Sequence, residues 1–278
     1  MDKIDLVMWT LNGESTLDHC LKAIDEAIPR EYVNNKIACD AGSKDGSIKI
    51  LQDYDWKVIH QNGGIPFQAN KCLQQVTTDR YASFEQDIIL PKNWYDKVSS
   101  HLKDNVVVVQ GVRVESGSNV FRVLDTWQIR DEPIPWYYSI DNNLYKTRII
   151  RAVGGYPLAD KFSVDGLLRN ELHKRGYKWK VLYNVVSKHL KPGYWNHLQG
   201  AVLRSATHQR TWEMTDRTPR TGRRWRTMVA PIRAGRMAAR YHAPEVFVGY
   251  PLFIFTNGLA KVIGTGLHGG RIVRRLEN

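Results

Sequence analysis

Cysteine is scarce: Cys20, Cys39 and Cys72 are the only three in 278 residues, an odd number without metal-ligand spacing. That excludes a disulfide-stapled miniprotein and points to a reducing compartment. Long apolar runs are missing as well. The longest stretch free of charge, Val246 to Ala260, has 15 residues and is broken by Pro251, Asn257 and two glycines. About 20 apolar residues are needed to span a bilayer, so no transmembrane helix is expected. The opening MDKIDLVMWT has no basic segment followed by a long apolar one, which predicts no signal peptide and a cytoplasmic chain. Two phosphate-binding signatures are absent. There is no GxxxxGK[ST], which argues against a P-loop nucleotidase, and no GxGxxG after the first apolar run, which argues against a dinucleotide-binding Rossmann domain.

Acid is scarce in one region only. Residues 196–278 hold 14 Lys/Arg against 4 Asp/Glu, whereas residues 1–195 hold 26 against 24. A nearly neutral body followed by a strongly basic third suggests an appendage that faces a polyanion. With 42% hydrophobic and 24% charged residues, the chain has enough apolar material for a sizeable core, and neither disorder nor a collagen-like fibre fits. The reading is therefore a body at 1–195 and an appendage at 196–278.

The body alternates strand and helix patterns. Residues 4–10 read as a buried strand, and Leu17, Leu21, Ile24 and Ile28 then recur at helical spacing. Short strands follow at Lys36–Cys39 and Trp56–His60, and helices at Ile48–Leu51 and Ala69–Val76. RYASFEQDI is a fourth strand ending in acids, Val106–Val114 a fifth, and Trp179–Val186 the last. Such alternation predicts right-handed βαβ units and a mainly parallel sheet, with ligands bound at the strands' carboxyl ends. Asn12, Asp40, Asp45, Glu85 and Asp87 all follow predicted strands, so they should meet on one rim.

Carboxylates and amides on that rim suit a ribose and a base, with a cation handling phosphates. Read by itself, DAGSKDGS is also what an ordinary polar turn looks like. Glu85 and Asp87, two apart, are hard oxygen donors of the kind Mg²⁺ and Mn²⁺ take together with substrate phosphates. A pair of surface acids at a strand end is the plainer alternative.

The order TLNGE, CDAGSKDGS, ANKCL and FEQD before PKNW, with GGYPLADKFSVDGLLRNELHKRGYKWKV downstream, resembles the family 2 glycosyltransferases of GT-A fold. The resemblance covers roughly residues 4–190. It implies an α/β, Rossmann-like mixed sheet flanked by helices, acting as a metal-dependent inverting hexosyltransferase on a UDP- or GDP-linked sugar. It also implies site residues. Thr10, Leu11, Asn12, Glu14, Asp40, Gly42, Ser43, Asp45, Asn70, Lys71, Glu85 and Gln86 would hold the nucleotide sugar. Asp87, Glu85 and His189 would hold Mn²⁺ or Mg²⁺, and Asp165 would be the general base. The chain departs from the family's pattern at four points. Glu85 replaces the first Asp of the D-x-D pair, Val164 the Glu before Asp165, Ala69 an Arg, and Cys72 a Gly.

The basic third carries eight arginines and no acid between Arg217 and Arg240. Read as a helix from Arg223, with a bend at Pro231, it puts Trp225, Met228, Val229 and Ile232 on one arc beside Arg226, Arg233, Arg236 and Arg240. With Arg224 and the later Phe253 and Phe255, this predicts a helical appendage lying on an anionic membrane, and hence a lipid-linked or glycolipid acceptor at the cytoplasmic face. No RNP-like strand or other nucleic-acid module is present, so no nucleic-acid partner is expected. The alternatives are a polyprenyl-phosphate sugar synthase, which the catalytic body also resembles, and a non-catalytic binding protein on a degenerate transferase body.

Overall fold

The computed structural model describes residues 3–132, 138–158, 164–191, 193–207 and 229–266, with side chains omitted at 203–207 and 261–266. The chain divides into two compact units, Met1–Arg113 with Ile134–Leu190, and Val114–Pro133 with Lys191–Asn278.

The first unit is built on β1 (Ile4–Thr10), β2 (Val33–Asp40), β3 (Lys57–His60) and β4 (Arg80–Glu85), joined by α1 (Glu14–Ala27), α2 (Ser47–Asp53) and α3 (Ile65–Gln75). These four strands are parallel neighbours in the order β3-β2-β1-β4. After β5 (Ile88–Ile89), α4 (Trp94–Ser99) and β6 (Val106–Glu115), α5 (Asn119–Arg130) belongs to the second unit, and the chain then forms β7 (Asn143–Lys146), α6 (Thr147–Ala152), α7 (Val164–Lys174) and β8 (Lys178–His189). The eight-stranded sheet has the order β3-β2-β1-β4-β7-β6-β8-β5. Strand β7 is antiparallel to both β4 and β6, so β6 again runs parallel to β4. The sheet is mixed, as expected.

Apolar side chains cover both faces. Leu17, Leu21 and Ile24 of α1 join Leu6, Met8 and Phe84 on one side, while Val164, Leu168 and Leu172 of α7 join Val7, Trp9 and Tyr81 on the other. A strand buried on both faces reads as a continuous apolar run, which is why β1 was legible as one. Helix α3 starts four residues earlier than its sequence pattern suggested, because Pro66 sits in its first turn, where its missing N–H is not needed.

Asp5 is the exception in β1: a fully buried carboxylate. Its Oδ1 accepts from Asn35 N (3.0 Å) and from the side-chain amides of Asn34 (2.9 Å) and Asn35 (3.0 Å). Its Oδ2 accepts from Thr77 N (2.5 Å), Thr77 Oγ1 (3.1 Å) and Thr78 N (3.1 Å). Burial pushes its pKa up, but the Thr77, Asn34, Thr78 and Asn35 donors outweigh that and hold it below the usual carboxylate value. This one group knots the start of β1 to β2 and to the entry of β4. Asp5→Ala strands those donors in the core and should cost about 3 kcal/mol, read as a lower urea midpoint. Since the folded pKa is depressed, the stabilisation is complete above the ordinary Asp value. It is lost as pH falls through the folded one, so the gap between variant and wild type should close in acid.

The second unit comprises α5 (Asn119–Arg130), α8 (Gly193–Thr207), α9 (Ala230–Tyr241) and α10 (Val246–Gly266). Helix α5 had no counterpart in the sequence reading, although Val120, Val123, Leu124 and Trp127 have helical spacing. Its apolar face packs with Ala230, Ala234 and Met237 of α9 and with Val246 and Tyr250 of α10, so α5 clusters with the C-terminal helices rather than with the 1–195 body. Pro231 stands in the first turn of α9 and does not bend it. Arg223, Arg224, Trp225 and Arg226 lie outside the described residues. Arg233 is paired with Glu132, and Arg240 with Asp131 at 2.7 Å, while Arg236 is exposed and has no acidic partner among the described residues. Phe253 does not face outward as expected. It packs edge-on against Phe121 at 5.0 Å, whereas Phe255 is 63% exposed. No helix among the described residues is long and apolar enough to cross a membrane.

Candidate active site

The carboxyl ends of β1 and β2 carry two loops stitched to each other. Asn12 N donates to Ser43 Oγ (2.8 Å), Lys44 N to Asn12 Oδ1 (2.9 Å), Gly13 N to Ser47 Oγ (2.7 Å) and Glu14 N to Asp45 Oδ2 (3.1 Å). Asp40, almost wholly buried, accepts from Gly42 N and Ser43 N at 2.8 Å each and from Ser43 Oγ at 2.5 Å. Gly42 takes φ +100°, a backbone that side-chain-bearing residues rarely adopt, and this lets the turn close on Asp40. Asp45 accepts from Ser47 N and Oγ. Burial raises the Asp45 pKa, but these donors and Glu14 N bring it below its usual value. The carboxylates expected to touch base and ribose thus also order the loops that carry them.

Gln86, between the two acids, is bound inward. Its Oε1 accepts from Thr10 Oγ1 (2.6 Å) and Leu11 N (2.8 Å), and its Nε2 donates to Leu11 O (3.0 Å). It clamps the β1 loop to the end of β4. Asn70 is likewise committed, exchanging two hydrogen bonds with the Tyr156 backbone (2.7 and 2.9 Å), while Lys71 is half-buried on α3. Gln68 was not singled out in the sequence, yet it donates to Thr10 O and Cys39 O and ties the two strand ends together. Leu11, Asn12 and Glu14 are exposed on this rim.

One strand along, three donors converge. Ligand atoms of Glu85, Asp87 and His189 lie within 4.8 Å of one another, with His189 Nε2 3.3 Å from Asp87 Oδ2 and 4.0 Å from Glu85 Oε2. The short β5 explains the convergence. It pairs antiparallel with β8, placing Ile88 opposite His189, and Leu190 N donates to Asp87 O at 2.8 Å. Two carboxylates and an imidazole, all largely buried, suit Mn²⁺ or Mg²⁺ with positions left for other oxygen ligands. Sequence reading missed the residues beside them. Arg113, near the end of β6, donates to Asp141 Oδ2 (2.8 Å) and reaches Glu85 Oε2 (3.4 Å), and Asp141 is 1% exposed. An arginine inside VVVVQGVRV was the available signal, since a charge in a buried strand needs a partner.

Asp165 opens α7, where its Oδ1 accepts from Gly166 N at 2.8 Å. The far end of α7 is fixed by Asn105, just before β6: Lys178 N donates to Asn105 O, and Asn105 Nδ2 to Gly176 O. Because β6 runs parallel to β4, α7 must begin at the carboxyl edge. Val164, next to Asp165, joins the apolar cluster on the α7 face of the sheet. Asp40 and Asp87 share one edge of the sheet, and the first turn of α7, with Asp165, is directed towards that edge.

The glycosyl transferase family 2 pattern matches residues 5–174, well over half the chain. The chain belongs to that family. It is a glycosyltransferase of GT-A fold. Among solved structures it is similar to a mannosyltransferase from Pyrobaculum calidifontis, in complex with GDP-Man and Mn²⁺. The two share 16% identity at a TM-score of 0.62, over 99% of this chain and 78% of that one. It is also similar to TarS residues 1–349 from S. aureus in complex with UDP-GlcNAc, with 14% identity and a TM-score of 0.54, over 73% of this chain and 65% of that one. No curated protein matches the chain significantly.

Proposed function

We propose that this glycosyltransferase moves a hexose, mannose or glucose, with inversion from a UDP- or GDP-linked donor to a lipid-linked or glycolipid acceptor at an anionic, cytoplasmic membrane surface. The observation that carries the transfer reading is the meeting of Glu85, Asp87 and His189 on the edge where the β1 and β2 loops stand and towards which the first turn of α7, with Asp165, is directed. The loops from Thr10 to Glu14 and Asp40 to Asp45 would seat the nucleoside. Glu85, Asp87 and His189 would hold the divalent cation, whose positive charge offsets the charge of a departing diphosphate. Asp165 would take the proton of the attacking hydroxyl.

The outward face of α10 supports the membrane half of the reading. Phe247, Val248, Leu252, Phe255 and Leu259 are 36–69% exposed, and no charge falls between Glu245 and Lys261. On a 3.6-residue period these five lie within one arc, and a helix with such a face lies well in a headgroup layer. The surrounding region is basic, with 14 Lys/Arg against 4 Asp/Glu over residues 196–278.

The test combines both halves. With a panel of UDP- and GDP-hexoses, Mn²⁺ and vesicles of anionic lipid containing polyprenyl-linked saccharide, one donor should release its nucleoside diphosphate faster with vesicles than without. Val248→Glu with Phe255→Glu should lower vesicle binding tenfold or more, since each buried apolar side chain contributes roughly 1.5–3 kcal/mol. No turnover of any donor would refute the transfer reading, and undiminished vesicle binding by the double variant would refute the membrane one.

A further inference from the structure

The β1 and β2 loops have a neighbour on the same edge. Strand β3 ends at His60, the register partner of Asp40, which in turn pairs with Thr10 of β1. Gln61 N donates to Asp40 O at 3.0 Å and carries that pairing one residue past the strand. His60 and Asn62, on either side of Gln61, both turn towards the Gly42 corner. A Cβ on Gly42 would stand 3.6 Å from His60 Cε1 and 3.8 Å from Asn62 Oδ1, so the two side chains meet beside one turn. Both residues are exposed, and neither the imidazole nor the Asn62 carboxamide has a hydrogen-bond partner among the described residues. Asp40 is the opposite case. It is 1% exposed, and three of the roughly four acceptor sites of its carboxylate are taken by Gly42 N, Ser43 N and Ser43 Oγ.

The corner suits the base end of a nucleotide. Strands β3, β2, β1 and β4 are successive neighbours, so β3 lies three spacings of about 4.8 Å, roughly 14 Å, from the strand that carries Glu85. A nucleoside diphosphate with its phosphates beside β4 and its ribose over the β1 and β2 loops presents its base towards β3. Uracil and guanine both show an N–H beside a C=O, an edge that a carboxamide meets with one acceptor and one donor. That edge stands farther from the ribose in the two-ring base than in the one-ring base. An amide at a fixed place on the rim therefore meets one of them and misses the other, and polar groups left unmet in a contact are costly. The His60 ring adds a nitrogen that can donate or accept at the same corner.

We infer that His60 and Asn62 choose the nucleobase of the donor, while Asp40 serves as the scaffold of the turn beside them. The inference rests on the proposed UDP- or GDP-linked donor, but it is tested by nucleotide binding and needs no acceptor. Titration calorimetry on the full chain with Mn²⁺ would use UDP and GDP as probes. Wild type should bind one of the two at least tenfold more tightly than the other. His60→Ala with Asn62→Ala, both at exposed positions, should weaken the preferred nucleotide tenfold or more. The other nucleotide should stay within threefold and the melting temperature should not change, so the preference collapses. Equal affinities in the wild type, or a preference that survives the double variant, would overturn the inference. So would an equal fall for both nucleotides, which would place the two side chains on the ribose or phosphates that UDP and GDP share. Each of these outcomes leaves the transfer reading standing, because nucleotide is still bound. Binding of neither nucleotide by the wild type would overturn both.

Discussion

Asp165→Asn is expected to lower turnover by about 10²–10⁴-fold, the usual contribution of a general base, while donor affinity stays within about twofold. The substitution keeps the shape of the side chain and an oxygen for the Gly166 N–H, 2.8 Å away in the wild type. What it removes is the proton acceptor. The carboxylate lies at a helix N-terminus, where the unsatisfied N–H groups and the helix dipole favour a negative charge. A loss confined to kcat identifies an interaction made in the transition state, whereas a rise in KM alone would point to acceptor positioning. The experiment also bears on the acceptor. A hydroxyl must lose a proton as it attacks, but a lipid phosphate is already ionised and needs no base. Unchanged turnover with the asparagine variant would remove Asp165 from proton transfer and turn the reading towards a polyprenyl-phosphate acceptor.

How much of this could be read from the sequence follows from the range of the forces involved. Strands β1 and β4 announce themselves because each is buried on both faces along most of its length, and most of its residues are apolar or aromatic. The rim could be inferred too, since parallel topology alone brings the ends of β1, β2 and β4 together. Roles within the rim were harder to read. Gln86 stood among the donor contacts that the resemblance implies, but its amide is used up on Thr10 and Leu11. Asn70 similarly spends itself on Tyr156, beside Gly155, where φ is +77° and a Cβ would stand 2.3 Å from the Asn70 side-chain oxygen. These are partnerships between residues about 75 and 86 positions apart, and no local pattern encodes them. Arg113 and Asp141 were missed for the same reason: each needs the other, and antiparallel β7 brings them together. In the second unit, helical periodicity marked an apolar arc at Ile232, but α9 turns Ala230 and Ala234, with Met237, inward and leaves Ile232 60% exposed. Helices in close approach select small side chains over large ones, which a hydrophobicity pattern does not weigh.

Asp87→Ala should reduce Mn²⁺-dependent turnover by at least about 10²-fold, because removing only an outer partner of a metal ligand already costs 10–100-fold. Asp87 holds the central place of the three donors. Its carboxylate faces His189 Nε2 at 3.3 Å, and its own carbonyl anchors Leu190, the residue after that histidine. Glu85 is differently placed: its Oε2 is shared with Arg113, itself held by the buried Asp141. Because Glu85 leans on Arg113 as well as facing the cluster, Glu85→Gln should cost less than Asp87→Ala, while Arg113→Ala should disturb Glu85 and strand Asp141. The measurement compares melting temperatures with a nucleotide sugar, with and without Mn²⁺, and turnover before and after chelation. In the wild type, Mn²⁺ should increase the stabilisation given by the donor, and a chelator should bring turnover down to the level of Asp87→Ala. For the variant neither addition should matter, because a chelator cannot take away a cation the site no longer holds. The same Mn²⁺-dependent shift in Asp87→Ala as in the wild type would mean that the cation binds elsewhere, leaving Glu85, Asp87 and His189 as an ordinary buried polar cluster.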